Sequence, residues 1–260
     1  MSGNATDTIL SSPQSIFEVK TGSSNQQHAI GTRLVMGGRV FRYASMFDTT
    51  AIGPNKLAQQ CPPLANHVTE TGTLTGTTTV GSTRITATLG ATAAYASEYK
   101  DGYLKIESAT TGAGQIFKLR DHAAVLSAGI LTADLYDPVV TATSGTTTWS
   151  LVHEAWASVV IQPTTITAPA AGVTMVNWPA ATSTAPNFGW IQTHGICSVL
   201  NGTDNTLANS ALIQWGTTTA GAVGIAVDAT ASTMIGQRIG YAVEALSTDN
   251  AYLTAYLTID

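Results

Sequence analysis

The side chains that could do chemistry are few in this sequence and stand far apart along it. Only His153, which Glu154 follows, resembles the start of a zinc-protease helix. The second histidine of that motif would stand four positions later, where this chain has Ala157. The spacing therefore predicts no zinc site, and we expect no cofactor.

Glycine-rich segments match a nucleotide site no better. Gly112 and Gly114 occupy the first two positions of a dinucleotide-binding fingerprint, but Phe117 stands where the third glycine belongs. The Gly-Lys pair of a phosphate-binding loop and the Gly-x-Ser-x-Gly pattern of a nucleophile elbow do not occur in the sequence. We interpret these glycines as a hairpin turn.

Carboxylates are the remaining candidates for catalysis. Asp134, Asp137 and Glu154 fall near the ends of neighbouring predicted strands, and a glycoside hydrolase needs two carboxyl groups about 5–10 Å apart. The simpler interpretation places them in turns and at solvated strand edges. Asp204 and Asn205 lack the acidic spacing of a calcium loop and are likewise interpreted as a turn. We therefore expect a protein that is not an enzyme.

Two sets of side chains could instead bind another molecule. Arg33, Arg39 and Arg42 could make charge-assisted hydrogen bonds to an acidic protein partner, although a solvated hairpin edge is the simpler interpretation. Tryptophans could stack on sugars, although at strand positions they more often pack in a core or an interface. The sequence has five of them: Trp149, Trp156, Trp178, Trp190 and Trp215.

Charge and hydropathy narrow the class of partner. The 260-residue chain has a net charge of −5 and no basic stripe, which argues against nucleic acid. It has no apolar run of about 18 residues, so we expect no membrane span. Residues 1–27 lack a secretory signal pattern, which predicts synthesis in a cytoplasm. Cys61 and Cys197 have no partner at metal-ligand or redox-motif spacing, so we expect free thiols.

The composition favours strands. Only 10% of the residues are charged, against about 25% in an ordinary soluble domain, and the chain is rich in Thr, Ala, Gly and Val. Such residues suit short strands better than surface helices. The predicted fold class is all-β, with two small β-barrel or β-sandwich modules preceded by an extended N-terminal arm and a hairpin.

The first 66 residues divide into two predicted segments. Residues 1–30 are polar and form an extended arm. Its scattered apolar residues, which could contact a partner, are Ile9, Leu10, Ile16 and Phe17. Residues 31–66 form a hairpin and a linker, because strand-like alternation flanks Gly37-Gly38, a pair typical of a two-residue turn.

Two β modules are predicted in the rest of the chain. Residues 67–155 hold five short strands separated by turns. These strands are Ile85–Leu89, Tyr103–Glu107, Gln115–Leu119, Ile130–Tyr136 and Thr146–Val152. Residues 156–260 begin with a proline-rich passage and end in a hairpin over Arg238–Leu246 and Ala251–Asp260. We expect its apolar side chains to share one buried face: Ile239, Tyr241, Val243, Ala245, Leu253, Ala255, Leu257 and Ile259.

Several of these segments resemble proteins encoded beside the major capsid gene of tailed bacteriophages. The segments are Gly31–Arg33, Gly37–Tyr43, Asp101–Leu104, Thr111–Gln115, Leu135–Pro138 and Trp190–Gly195. The closing hairpin, Ile239–Ala245 with Tyr252–Ile259, is similar to the last hairpin of phage head decoration (cement) proteins.

The resemblance implies a structural virion protein that binds the outer surface of an icosahedral capsid. Its partners would be the major capsid protein and further copies of itself, often as a homotrimer, and it would stabilise the capsid by bridging capsomers. We expect the four apolar residues of the arm and the three arginines of the hairpin to contact the capsid. The alternative is a phage fibre or adhesin module that binds host surface glycans.

Overall fold

The computed structural model describes residues 18–47, 50–72, 74, 79–143, 147–181, 186–202, 208–226, 237–246 and 248–260. All of the regular elements named in these residues are strands, which confirms the predicted all-β class. They are β1 (Arg33–Met36), β2 (Arg39–Met46), β3 (Leu57–Gln59), β4 (Glu70–Gly72), β5 (Arg84–Thr88), β6 (Tyr103–Ser108), β7 (Ile116–His122), β8 (Ile130–Leu135), β9 (Thr147–Val152), β10 (Val160–Ile161), β11 (Ala170–Thr174), β12 (Asn187–Leu200), β13 (Leu212–Trp215), β14 (Val223–Ile225), β15 (Gly240–Ala242) and β16 (Tyr252–Thr258). No helix within the described ranges is long and apolar enough to cross a membrane.

The chain forms two compact units. Unit 1 combines Met1–Pro62 with Ala155–Asp260, and unit 2 consists of Pro63–Glu154. The sequence predicts that residues 31–66 and 156–260 form separate segments. In the structure β2 pairs with β12 and β3 pairs with β11, so both segments supply strands to one sheet. Local alternation cannot reveal such a pairing, because the partners lie more than a hundred residues apart.

Unit 1 is built on one antiparallel sheet. Its main path runs β10-β3-β11-β12-β16-β15-β13-β14, and the β1–β2 hairpin joins it along β12. The hairpin has the predicted two-residue turn, since Arg39 pairs with Met36 and both Gly37 and Gly38 have positive φ. Two strands were not predicted from the sequence: β10 lies just before the proline-rich passage, and β11 lies within it.

Unit 2 is a six-stranded antiparallel sheet in the order β4-β9-β6-β7-β8-β5. All five predicted strands are present, and their first and last residues differ from the predicted ones by at most a few positions. β4 is an additional edge strand. Alternation of buried and exposed residues along β6 puts Leu104 and Ile106 into a core that also holds the buried ring of Trp149. The period-two pattern was therefore a reliable signal here.

Candidate functional site

A row of exposed apolar side chains crosses four strands of unit 1. Ile196 on β12 lies opposite Tyr256 on β16, Tyr256 lies opposite Tyr241 on β15, and Tyr241 lies opposite Leu212 on β13. Residues directly opposite each other project from the same face of an antiparallel sheet. Ile196, Tyr241 and Leu212 are 46%, 39% and 43% exposed. We call these four residues the tyrosine row.

The position of Tyr241 in this row corrects the predicted face of β15. Tyr241 and Val243 were expected to point inward with Ile239, but both are exposed, and Gly240 and Ala242 are buried instead. A Cβ at Gly240 would lie 1.9 Å from the carbonyl oxygen of Tyr256, so the strands approach too closely for a larger inward residue. On β16 the prediction is confirmed, since Leu253, Ala255 and Leu257 are fully buried.

The centre of the tyrosine row is held by ring contacts and hydrogen bonds. The rings of Tyr241 and Tyr256 stack with centroids 5.1 Å apart. His194 meets Tyr256 edge to face at 5.2 Å. Its Nδ1 lies 3.1 Å from the backbone oxygen of Asp260, which can only accept, so a neutral ring leaves Nε2 to accept from the Tyr256 hydroxyl at 3.0 Å. The two tyrosine rings thus form a fixed aromatic surface.

Arg42, one of the predicted contact residues, is engaged within the chain. Its Nε and Nη2 donate to the Asp260 carboxylate at 2.7 and 3.0 Å, and its Nη1 donates to the carbonyl of Gly31. The guanidinium also lies 4.5 Å from the ring centroid of Trp156. These hydrogen bonds from Arg42 hold the pKa of Asp260 below its ordinary value. The contacts fasten Asp260 to the β1–β2 hairpin.

Arg39 lies instead in an open groove beside the tyrosine row. The groove has a volume of about 440 Å³ and is lined by Gly37, Gly38, Arg39, Ile196 and Tyr256. The Arg39 guanidinium stands 5.4 Å from the ring centroid of Phe41. Among the described residues no carboxylate is within ion-pair distance of it. The groove therefore has apolar and aromatic walls and one unpaired cation.

The remaining predicted contact residues do not join this site. Arg33 lies on β1 opposite Arg42, and within the described ranges it also lacks an ion pair. The four apolar arm residues, Ile9, Leu10, Ile16 and Phe17, lie outside the described residues. The tyrosine row was missed because its members come from four strands, and only their register brings them together.

The tryptophans mostly pack inside, as their simpler interpretation predicted. Trp149, Trp178, Trp190 and Trp215 are buried, and Trp156 is partly covered. The five tryptophans therefore do not form an exposed sugar-stacking surface. Among the described residues of unit 1, the large exposed aromatic side chains are those of Tyr241 and Tyr252.

Unit 2 holds a separate, buried group of titratable side chains around Tyr99. Nδ1 of His67 lies 2.5 Å from the Tyr99 hydroxyl. Nε2 of His122 accepts from the Tyr99 backbone N–H at 3.0 Å, and its Nδ1 donates to the Ala123 carbonyl. The His153 ring lies 4.4 Å from Tyr99, with Nε2 3.7 Å from a carboxylate oxygen of Glu98. We call this group the histidine cluster.

The histidine cluster has the character of a structural network. Burial lowers the pKa of His122, which favours its neutral form. No group of three or more metal-ligating side chains occurs in the part of the chain that the structure describes. Cys61 and Cys197 do not form a disulfide, and burial raises the pKa of Cys197 to about 12, so this thiol is a poor nucleophile. Of the candidate carboxylates, Asp134 pairs with Arg84 at 2.9 Å.

In comparisons with protein families, characterised proteins and solved structures, no match to this chain was found.

Proposed function

We propose that this chain is a structural virion protein that decorates the outer surface of a bacteriophage capsid and stabilises it by bridging capsomers. Its partners are the major capsid protein and copies of itself, arranged as a homotrimer, and it has no enzymatic role. It is synthesised in the host cytoplasm and resides on the capsid surface. The observation that carries this proposal is the tyrosine row, an ordered apolar surface on a weakly charged protein.

The size of this surface favours a contact that is repeated many times. Together with its outward neighbours Val243 and Tyr252, the row spans four strands about 4.8 Å apart and about five residues along them, or about 300 Å². An apolar patch of this size is often functional. A stable interface between two proteins needs about 800 Å² on each partner, so one such contact is weak. A capsid has many equivalent binding sites. A protein that binds two neighbouring capsomers makes several weak contacts at once, and together these contacts hold it stably.

The two units support the same proposal. Each has its own hydrophobic core, Leu104 and Trp149 being central in unit 2 and Leu253 and Leu257 in unit 1. We infer that they act as two small β-barrel or β-sandwich modules. A protein with two independently packed modules can contact two neighbouring capsomers.

The first test measures the amount of this protein in purified particles and the stability of heads that lack it. We expect a fixed ratio to the major capsid protein, and heads without it that assemble but rupture at a lower temperature. If the amount of this protein instead follows the amount of the tail proteins, the fibre or adhesin alternative is favoured. Bare heads with unchanged thermal stability would contradict the proposed stabilising role.

A second test locates the contact. We expect the double variant Leu212→Lys/Tyr241→Lys to bind bare heads at least about tenfold more weakly, because lysine would be desolvated at the interface. The matched control is Ile116→Lys/Val140→Lys, which changes two exposed apolar residues of unit 2. Equal binding by both double variants would remove the tyrosine row from the capsid contact.

A further inference from the structure

Arg39 carries a half-buried positive charge that has no carboxylate partner among the described residues. The ion pairs in this part of the chain do not include it, whereas Arg42 on the same strand is bonded to Asp260. Its neighbours partly cover the residue. Taking a charge out of water without pairing it is unfavourable. The guanidinium is therefore suited to an anion that comes from outside the described chain.

The fold holds this guanidinium in place before a ligand binds. A Cβ at Gly195 would lie 2.7 Å from the Gly38 carbonyl oxygen and 3.2 Å from Cγ of Arg39, so β12 passes close to the base of the side chain. The far end of the same side chain lies 5.4 Å from the centroid of the buried Phe41 ring. A side chain that is packed at both ends loses less conformational freedom on binding than a free one.

The groove next to this guanidinium is open on the side of the hairpin turn. A Cβ at Gly37 or at Gly38 would meet no described atom within 4 Å, so the turn leaves room for another chain. Ile196 and Tyr256 supply apolar and aromatic surface in the same groove. Its volume of about 440 Å³ is at the lower end of the range for binding pockets, about 300–1,000 Å³, which suits a few side chains of a protein segment.

We propose that this groove binds an acidic side chain, Asp or Glu, that stands beside an apolar residue on an exposed loop of the major capsid protein. The carboxylate accepts hydrogen bonds from the Arg39 guanidinium, and the apolar residue packs on Ile196 and Tyr256. Because a guanidinium and a carboxylate match in a two-pronged geometry, this pair also fixes the orientation of the loop. The inference rests on the proposed function and names the chemistry that the capsid surface must offer at this point.

The position of the groove decides which partner supplies the acid. Ile196 and Tyr256 line the groove and also belong to the tyrosine row, so a protein that covers the row also reaches the groove. Nucleic acid is a poor candidate, because the chain has a net charge of −5 and the groove has a single cation. A surface without an acid at this point would bury the guanidinium unpaired, so Arg39 selects the partner as well as binding it.

The first measurement is the affinity of the full chain for bare heads. We expect Arg39→Gln to bind at least about tenfold more weakly, because the loss of one member of a desolvated charge pair leaves the other unpaired. Arg33→Gln is the matched control. It removes the same charge from the same hairpin, outside the groove, and should leave the affinity unchanged. Near-ultraviolet circular dichroism checks that both variants fold like the unaltered chain.

The second measurement identifies the acid. Arg39→Lys keeps the charge and adds a primary amine, which a water-soluble carbodiimide joins to a neighbouring carboxylate as an amide. With this variant bound to heads, we expect mass spectrometry to find position 39 joined to an Asp or Glu of the major capsid protein that has an apolar residue beside it in the sequence. Arg33→Lys, treated in the same way, should give no such crosslink.

The outcomes distinguish this inference from the proposed function. If the unaltered chain binds bare heads and Arg39→Gln binds equally well, the groove is not a contact, while capsid binding stands. If the unaltered chain does not bind heads, the proposed function fails and this inference fails with it. A bound Arg39→Lys variant that crosslinks to no capsid carboxylate overturns the inference, even where Arg39→Gln changes folding. A crosslink to a carboxylate of a second copy of this chain assigns the groove to self-assembly and overturns the capsid loop as its occupant.

Discussion

The histidine cluster of unit 2 and the tyrosine row of unit 1 place similar side chains in opposite environments. In unit 2, His67, Tyr99 and His122 are buried and bonded to one another. In unit 1, His194 fixes Tyr256 beside Tyr241 on an exposed sheet face. The same residue types therefore serve internal structure in the histidine cluster and a prepared surface in the tyrosine row. We expect the histidine cluster to make stability depend on pH near neutrality, and the tyrosine row to bind a partner.

The largest effect is expected from a truncation that removes part of the core beneath the exposed face of unit 1. Truncation after Leu246 removes β16, which lies between β12 and β15. It deletes Leu253 and Leu257, each contributing about 1.5–3 kcal/mol by burial, and it removes the strand that joins β12 to β15. Because a whole domain has only about 5–15 kcal/mol of stability, we expect unit 1 to unfold.

Soluble yield and near-ultraviolet circular dichroism measure this outcome. Unit 2 contains none of the deleted residues, so its own melting transition should persist. A truncated chain with the full native signal would contradict the assignment of β16 as a central strand.

The second prediction concerns unit 2 and acid. Burial lowers the pKa of His122 below its unfolded value of about 6.5, although Glu98 and Asp121 oppose the shift and His153 adds to it. The neutral His122 ring therefore contributes its full stabilisation of the folded state at pH values above the pKa of this side chain in the unfolded chain. This contribution is lost as pH falls through about 6.5 towards the folded pKa, because the unfolded state then binds more protons.

Thermal melting between pH 7.5 and pH 5 checks this prediction. The transition of unit 2 should move to lower temperature on acidification, and His122→Gln should flatten the dependence. Its side-chain oxygen can still accept the Tyr99 N–H, so the variant should fold. His194→Gln, on the exposed face of unit 1, is the control. An unchanged slope in His122→Gln would remove His122 as the titrating group.

The strands of unit 2 and the β1–β2 hairpin could be predicted from sequence because their signals are local. Alternation of Leu104 and Ile106 with polar residues, and the Gly37-Gly38 pair, each fall within a few neighbouring positions. β11 was missed because all five of its residues are buried and a register shift interrupts it between Ala170 and Gly172. A strand buried on both faces has no alternation to detect.

The site depended on information that no local pattern contains. Tyr241 was assigned to the wrong face because the prediction assumed strict alternation from Ile239. In the structure Ile239 and Gly240 are both buried, and the close approach of Tyr256 leaves room only for glycine at position 240. Arg42 could not be distinguished from Arg39 by sequence, since its partner Asp260 is 218 positions away. Long-range register, and not residue type, decided which side chains became a surface.

A smaller effect is expected from the contact that anchors Asp260 to the hairpin. Asp260→Asn removes the ionised acceptor of Arg42 and should lower the free energy of unfolding of unit 1 by about 0.5–1 kcal/mol, because the pair is partly exposed and screened by solvent. The pKa of Asp260 is lowered mainly by hydrogen bonds from Arg42, so this contribution is lost as pH falls below about 3.9. Urea unfolding should show a larger difference between the two proteins at pH 7 than at pH 3. A difference of equal size at both pH values would assign the effect to packing.

The smallest expected effect is on the stability of the tyrosine row itself. Leu212→Ser removes an apolar side chain that is 43% exposed, and Leu253→Ser removes one that is fully buried in the same unit. We expect the first to change the free energy of unfolding by less than about 0.5 kcal/mol, as exposed substitutions do. The second should cost about 2–5 kcal/mol, because it leaves a cavity and a buried hydroxyl. Chemical denaturation of both variants measures the two values under the same conditions. Near-equal losses would mean that Leu212 packs within the folded chain, and the row would then be part of the core. A large difference would mean that folding does not require leucine at this position, as the proposed contact with a partner predicts.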